Sequence, residues 1–224
     1  MLTRTEYKID VPKDKIEEEL YKLPRDDFRF TLNYPLGDPF YDAWVLKDNY
    51  RNSVWESLLN VLPPIIGEAR IIVLENGQCY QSHGDIDNRY HLNLTGSDSY
   101  AVNLETNTIF EMINDGYWWN FDAGLRHSAA NFGRDFRAQL VVRKLLIRNI
   151  LKNPIKIQIV SSLSLDDTRF IGENLLSPWL NRADKQGIIT NLTLKEPGII
   201  ECLIEQDQIP SLITLCPKGF IVES

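Results

Sequence analysis

The chain has 224 residues, of which 43% are hydrophobic and 25% charged, with a formal net charge of −7. That length bounds one large β domain, or one domain with a small appendage, of ordinary globular composition. The acidic balance argues against a nucleic-acid partner held through phosphates. No apolar run approaches the ~18 residues that would span a membrane.

The opening MLTRTEYKIDVPKDKIEEEL has no apolar stretch of the kind a secretory signal needs. Cys79, Cys202 and Cys216 show no CxxC spacing, so neither a disulfide framework nor a zinc ribbon is expected, and the reading is a reducing, cytoplasmic location. Residues 5–11 read as a short strand. Pro12 falls in the first turn of a helix over KDKIEEELYKL. FRFTLN (28–33) alternates as a half-buried strand does, and AWVLK follows as another. Val54, Leu58 and Val61 give residues 52–62 a helical face, with Asn52 or Ser53 as N-cap and Pro63-Pro64 as the stop.

From EARIIVL (68–74) onward the pattern is strand after strand. Asn76-Gly77 predicts a hairpin whose second strand is QCYQSHGD. RYHLNL (89–94), YAVNLET, TIFEMI, YWWNFDA, LRHSAA and FRAQLVVRKLL follow, separated by turn residues, which suggests a sandwich or barrel. In RYHLNL, Arg89, His91 and Asn93 share one face, and Tyr90, Leu92 and Leu94 the other. With the apolar face outward, a polar inner face implies a metal, ligand or water inside, unless that face is simply solvated. Asn153-Pro154 reads as a boundary. We expect a β domain over 1–150 and a small α+β domain over 151–224, whose β-α-β-β-α-β order matches the ferredoxin-like split βαβ motif.

All three histidines lie between residues 83 and 127. His83 and Asp85, two apart on a predicted strand, would face the same side; taken alone, the pair fits a surface histidine beside a turn-forming aspartate equally well. His127 alone fits a hydrogen-bonded structural histidine, and gains weight as a ligand from the pair upstream. Asp87 competes with Asp85 by parity if the strand continues past Gly84, while Asp122 reads as a turn residue. Two imidazoles and one carboxylate form the facial triad of non-haem Fe(II) oxygenases, and zinc or manganese would accept the same set. Iron is favoured by Arg137, whose planar guanidinium suits the far carboxylate of a dicarboxylic co-substrate. Arg134, nearer the turn, reads as solvated. Arg89 and His91 either bind a carboxylate or form a satisfied polar pair. Trp118 and Trp119 read as core or cavity wall. No GxSxG, Walker or GxGxxG motif is present.

Residues 68–143 resemble the aspartyl/asparaginyl β-hydroxylase-like branch of the Fe(II)- and 2-oxoglutarate-dependent oxygenases. HSAANFGRDFR is most similar to the corresponding segment of the L-proline cis-hydroxylases, and RYHLNL is similar to the family's Arg-x-His-Leu strand. The resemblance implies a double-stranded β-helix (a cupin-like jelly roll) with N-terminal helices. It implies His83, Asp85 and His127 as iron ligands, Arg137 at the distal carboxylate of 2-oxoglutarate, and His91 and Arg89 lining the co-substrate pocket. It further implies a dioxygen-consuming hydroxylase acting on an unactivated C–H bond of a free amino acid or of a peptide or protein side chain. The resemblance does not extend over 151–224. The competing expectation is a non-catalytic or differently metallated cupin-like protein whose C-terminal module binds a partner.

Overall fold

The computed structural model describes residues 2–23 and 29–224. The fold is mainly β, and every described strand pairing is antiparallel. Its residues group into a larger unit (Met1–Ser82, Asn88–Asp122, His127–Leu145) and a smaller one (His83–Asp87, Ala123–Arg126, Leu146–Ser224). Among the described residues, no helix is long and apolar enough to cross a membrane.

The larger unit begins with β1 (Leu2–Lys8), α1 (Lys13–Tyr21), β2 (Arg29–Thr31), β3 (Asn33–Pro35), β4 (Trp44–Leu46) and α2 (Val54–Leu59). It continues through β5 (Ala69–Leu74), β6 (Arg89–Thr95), β7 (Ser99–Asn103), β8 (Thr108–Glu111), β9 (Tyr117–Phe121), β10 (His127–Asn131) and β11 (Arg137–Arg143). Six strands form one sheet in the order β1-β9-β6-β11-β5-β2, and β10-β7-β8 form a second. The predicted strand over 28–33 is split: Leu32 is buried between β2 and β3, and Phe28 lies outside the described residues. Pro12 takes the N-cap of α1 rather than its first turn, and Ser53 caps α2 by accepting the Trp55 N–H at 3.1 Å.

Helical spacing puts Ile16 and Leu20 on one side of α1, and Trp55, Leu58 and Leu59 on one side of α2. These pack on Ile71, Leu92, Leu94, Trp118, Leu140 and Val142 of the six-stranded sheet. The apolar face of β6 is therefore buried under a helical layer rather than turned outward. Burial of that order contributes roughly 1.5–3 kcal/mol per large apolar side chain. The other face of the same sheet carries the polar side chains in ordered rows. Register places Gln139 beside Asn93 and Ile72, then Val141 beside His91 and Arg70, then Arg143 beside Arg89.

The expected hairpin after β5 does not form. Gly77 does adopt the left-handed conformation that the Asn-Gly turn needs (φ 73°). The chain beyond it leaves β5, however, and runs along β10, with Tyr80 N–H donating to the Ala129 carbonyl and Asn131 N–H to that of Gln78. Strand β5 is already flanked by β11 and β2, so no edge is left for a hairpin partner. His83 and Asp85 consequently sit in an irregular segment, not on a regular strand.

In the smaller unit, β12 (Pro154–Ser161), α3 (Leu165–Ile171), α4 (Ser177–Lys185), β13 (Ile189–Glu196), β14 (Ile199–Glu205), α5 (Ile209–Leu215) and β15 (Phe220–Glu223) follow in turn. The sheet order is β13-β14-β12-β15. Ile157, Ile159, Leu180, Leu192 and Ile204 are fully or almost fully buried. Between α3 and α4 the helix widens into a π-turn over Gly172–Leu176. Pro178 falls in the first turn of α4.

Candidate metal and carboxylate site

The backbone holds the segment 83–87 at three points. Gly84 N–H donates to the Glu173 carbonyl (2.6 Å) in the π-turn, and Asp85 N–H to the Ala123 carbonyl (2.7 Å). The Asn181 amide on α4 donates to the Ile86 carbonyl at 2.7 Å. Asn181 is itself buried, and a Cβ at Gly124 would collide with its amide, so only glycine fits there. A π-turn offers backbone groups that a regular helix keeps for itself, and such turns concentrate at functional sites. Here its Glu173 carbonyl anchors the peptide between His83 and Asp85.

His83 Nε2 and Asp85 Oδ2 lie 3.9 Å apart, both side chains partly exposed. His127, the first residue of β10, is buried opposite Asn103 of β7. One ligand atom from each of His83, Asp85 and His127 falls within 4.8 Å of the other two. The donor set is two imidazoles and one carboxylate, matching a facial metal site, and Asp87, the parity competitor, is buried but outside the cluster. The Phe121 ring holds two imidazoles edge-on, His127 at 4.6 Å and His91 at 4.9 Å between centroids.

Burial drives the His91 pKa well below the ordinary value, which favours the neutral ring, and Arg89, His127, Arg137 and Arg70 push the same way. Both of its ring nitrogens are buried without a hydrogen-bond partner. Arg137 is 1% exposed, and its Nε and Nη1 are likewise buried and unbonded. Burial lowers its pKa and pairing with the Tyr80 phenol opposes that, but a guanidinium stays charged. Among the described residues no carboxylate pairs with Arg137. A buried donor left without a partner costs about 1–3 kcal/mol.

The neighbouring arginines are differently placed. Glu68 takes Arg70 (2.8 Å), Arg29 (3.1 Å) and Arg143 (3.6 Å). Burial alone would raise the Glu68 pKa, but Arg70, Arg143 and Arg29 together hold it below the usual carboxylate range. Sequence alone could not assign these partners, because the charges come from strands far apart in the chain. Arg89 is buried on the polar face across from Phe121, whereas Arg134 is exposed. Trp118 is core; Trp119 is half-buried on the His91 side of the sheet.

Sequence reasoning missed Tyr80, whose phenol pKa is raised by burial and lowered in turn by Arg137. It carries no motif, and only the crossing of the chain to β10 brings it to the arginine. Asn93 and Gln139, on the faces that carry His91 and Arg137, have buried, unbonded polar atoms. Alternation along β6 and β11 was the available signal. A cleft of about 460 Å³ bordered by Lys152, Asn153, Gly187 and Glu205 lies in the smaller unit and includes none of these residues.

No family model matches the sequence, and no curated protein matches it. Among solved structures, the chain is similar to CapF bound to the inhibitor 3-isopropenyl-tropolone (14% identity, TM-score 0.32, covering 62% of this chain and 40% of CapF). It is similar to the capsular polysaccharide assembling protein CapF from Staphylococcus aureus (16%, 0.32, 60% and 38%). It is also similar to a Pseudomonas putida prolyl-4-hydroxylase (12%, 0.38, 63% and 90%). The match thus spans about two fifths of CapF.

Proposed function

We propose that this protein is an Fe(II)- and 2-oxoglutarate-dependent dioxygenase that hydroxylates an unactivated C–H bond of a free amino acid or of a peptide or protein side chain. The observation that carries the reading is a pairing of features. Two histidines and an aspartate converge to metal-binding distance, and a fully buried arginine has, among the described residues, no carboxylate to neutralise it. The residues present fit the cofactors: His83, Asp85 and His127 would hold the metal on one face and leave its other positions open. When bound, Fe(II) with 2-oxoglutarate and dioxygen supplies the oxidising chemistry.

The chain's own part is to bind, orient and exclude water. Arg137 keeps N–H groups at Nε and Nη1 unbonded, and these are charge-assisted donors for the distal carboxylate. Burial of Arg137 strengthens that attraction by removing competing water. His91, neutral and unbonded, offers one ring N–H to the inner end of the co-substrate, and Arg89 adds positive charge beside it. Phe121 keeps the His91 and His127 rings from turning. We assign the two main sheets to a cupin-like jelly roll over 1–150 and the C-terminal sheet to a ferredoxin-like module over 151–224, and place the protein in a reducing, cytoplasmic compartment.

The test is anaerobic titration of apo-protein with Fe(II) and then 2-oxoglutarate, following the visible metal-to-ligand charge-transfer band. We expect the band in wild type and its loss in His127→Ala. Iron binding without the band would instead favour a differently metallated binding protein. No iron binding would remove the metal assignment altogether.

A further inference from the structure

On the polar face of the six-stranded sheet, the row between Arg137 and His91 is occupied by Gln139 and Asn93, adjacent in register. Alternate residues on one strand are about 6.7 Å apart. A ligand reaching from the Arg137 guanidinium toward His91 therefore lies over this row. Both side chains are 3% exposed. Asn93 Nδ2 donates to the Met112 carbonyl at 2.7 Å, which fixes its amide and leaves Oδ1 as a buried, unbonded acceptor. Gln139 Nε2 is a buried, unbonded donor. Ile72, next to Gln139 on β5, and Leu74, next to Arg137, give the same face apolar ground between the polar groups.

We propose that Gln139 is a binding residue for the co-substrate, donating one N–H to its distal carboxylate alongside Arg137, and that Asn93 orients it. With the ligand in place, the second Gln139 N–H would turn to Asn93 Oδ1, which is unbonded in the ligand-free protein, and so set which end of the Gln139 amide faces the ligand. The chemistry selects a carboxylate. A ligand of the same length ending in a methyl group would leave both the guanidinium and the amide unpaired. This inference rests on the 2-oxoglutarate reading above. It adds a specificity element that the facial triad and the arginine do not supply.

The experiment compares two ligands on Mn(II)-loaded protein: 2-oxoglutarate and 2-oxopentanoate, which has the same carbon chain without the distal carboxylate. Binding is read by water-proton relaxation, which follows weak and tight ligands alike. Gln139→Leu should weaken 2-oxoglutarate about thirtyfold, about 2 kcal/mol at 1.4 kcal/mol per tenfold, and change 2-oxopentanoate by less than about threefold. The ligand-free variant should be at least as thermally stable as wild type, because a buried unbonded amide is removed. Gln139→Met, of similar length, is read in its place if the leucine variant does not fold. Equal weakening of both ligands, unchanged 2-oxoglutarate binding, or a large loss of ligand-free stability would each overturn the role of Gln139. Absence of 2-oxoglutarate binding in wild type would instead overturn the functional reading beneath it.

Discussion

Gly84 lies between two proposed metal ligands, and its replacement tests whether the π-turn and α4 set the position of that segment. A Cβ at residue 84 would stand 2.5 Å from Pro178 Cγ, 3.1 Å from its Cδ and 3.4 Å from the Glu173 carbonyl oxygen. Carbon atoms settle at about 3.5–4.0 Å, and a proline ring has no rotamer that swings it clear. Gly84→Ala must therefore move the backbone of 83–87 or of α4 by roughly 1 Å, an overpacking cost of about 1–3 kcal/mol. The Gly84 N–H bond to Glu173 opposes a simple outward shift, so the strain falls on the peptide that joins His83 to Asp85. We expect metal affinity to fall between about tenfold and a hundredfold. The assay is Mn(II) binding by chelator competition on wild type, Gly84→Ala, Pro178→Ala and the double variant. Pro178→Ala removes the colliding Cγ and Cδ, so the double variant should recover most of the affinity, with a coupling energy of about 1 kcal/mol or more. Wild-type affinity in Gly84→Ala, or no recovery in the double variant, would refute the reasoning.

Arg137→Met should weaken 2-oxoglutarate by about a hundredfold or more, from the loss of two charge-assisted hydrogen bonds, and leave Mn(II) affinity unchanged; calorimetry of both ligands checks this. In the smaller unit, burial raises the Asp184 pKa to about 6 from 3.8, opposed by the Ile147 N–H and Lys185. A carboxyl raised in this way favours the fold while protonated. Its contribution is complete below about pH 4 and is lost as pH rises through about 6. Asp184→Asn should therefore stabilise the smaller unit at pH 8 by roughly 1–3 kcal/mol and have little effect at pH 4, as read by denaturant unfolding at the two values.

How much of this was legible beforehand differs by level. The strands β5 to β11 were readable one by one, because alternation of side chains is a local property of each segment. The proposed donors His83, Asp85 and His127 and the arginine Arg137 could be picked out as candidates because metals and carboxylates accept few side-chain types. The split apolar and polar faces of β6 were readable as well, although the side that meets the helices was not.

Partner choice belonged to the tertiary structure. Asn76-Gly77 specifies a reversal, but nothing local says that β5 will be flanked by β2 and β11, leaving the chain to run along β10 instead. Strand pairing is settled by which edges remain open once the distant segments have packed. The same holds for the charges. Several arginines share the polar face, and only the fold gives Arg70 to Glu68 and leaves Arg137, among the described residues, facing Tyr80 without a carboxylate. The sequence by itself determined which groups could do the chemistry. The tertiary structure decided which are already neutralised and which remain to bind, because burial and long-range pairing set the cost of an unpaired charge.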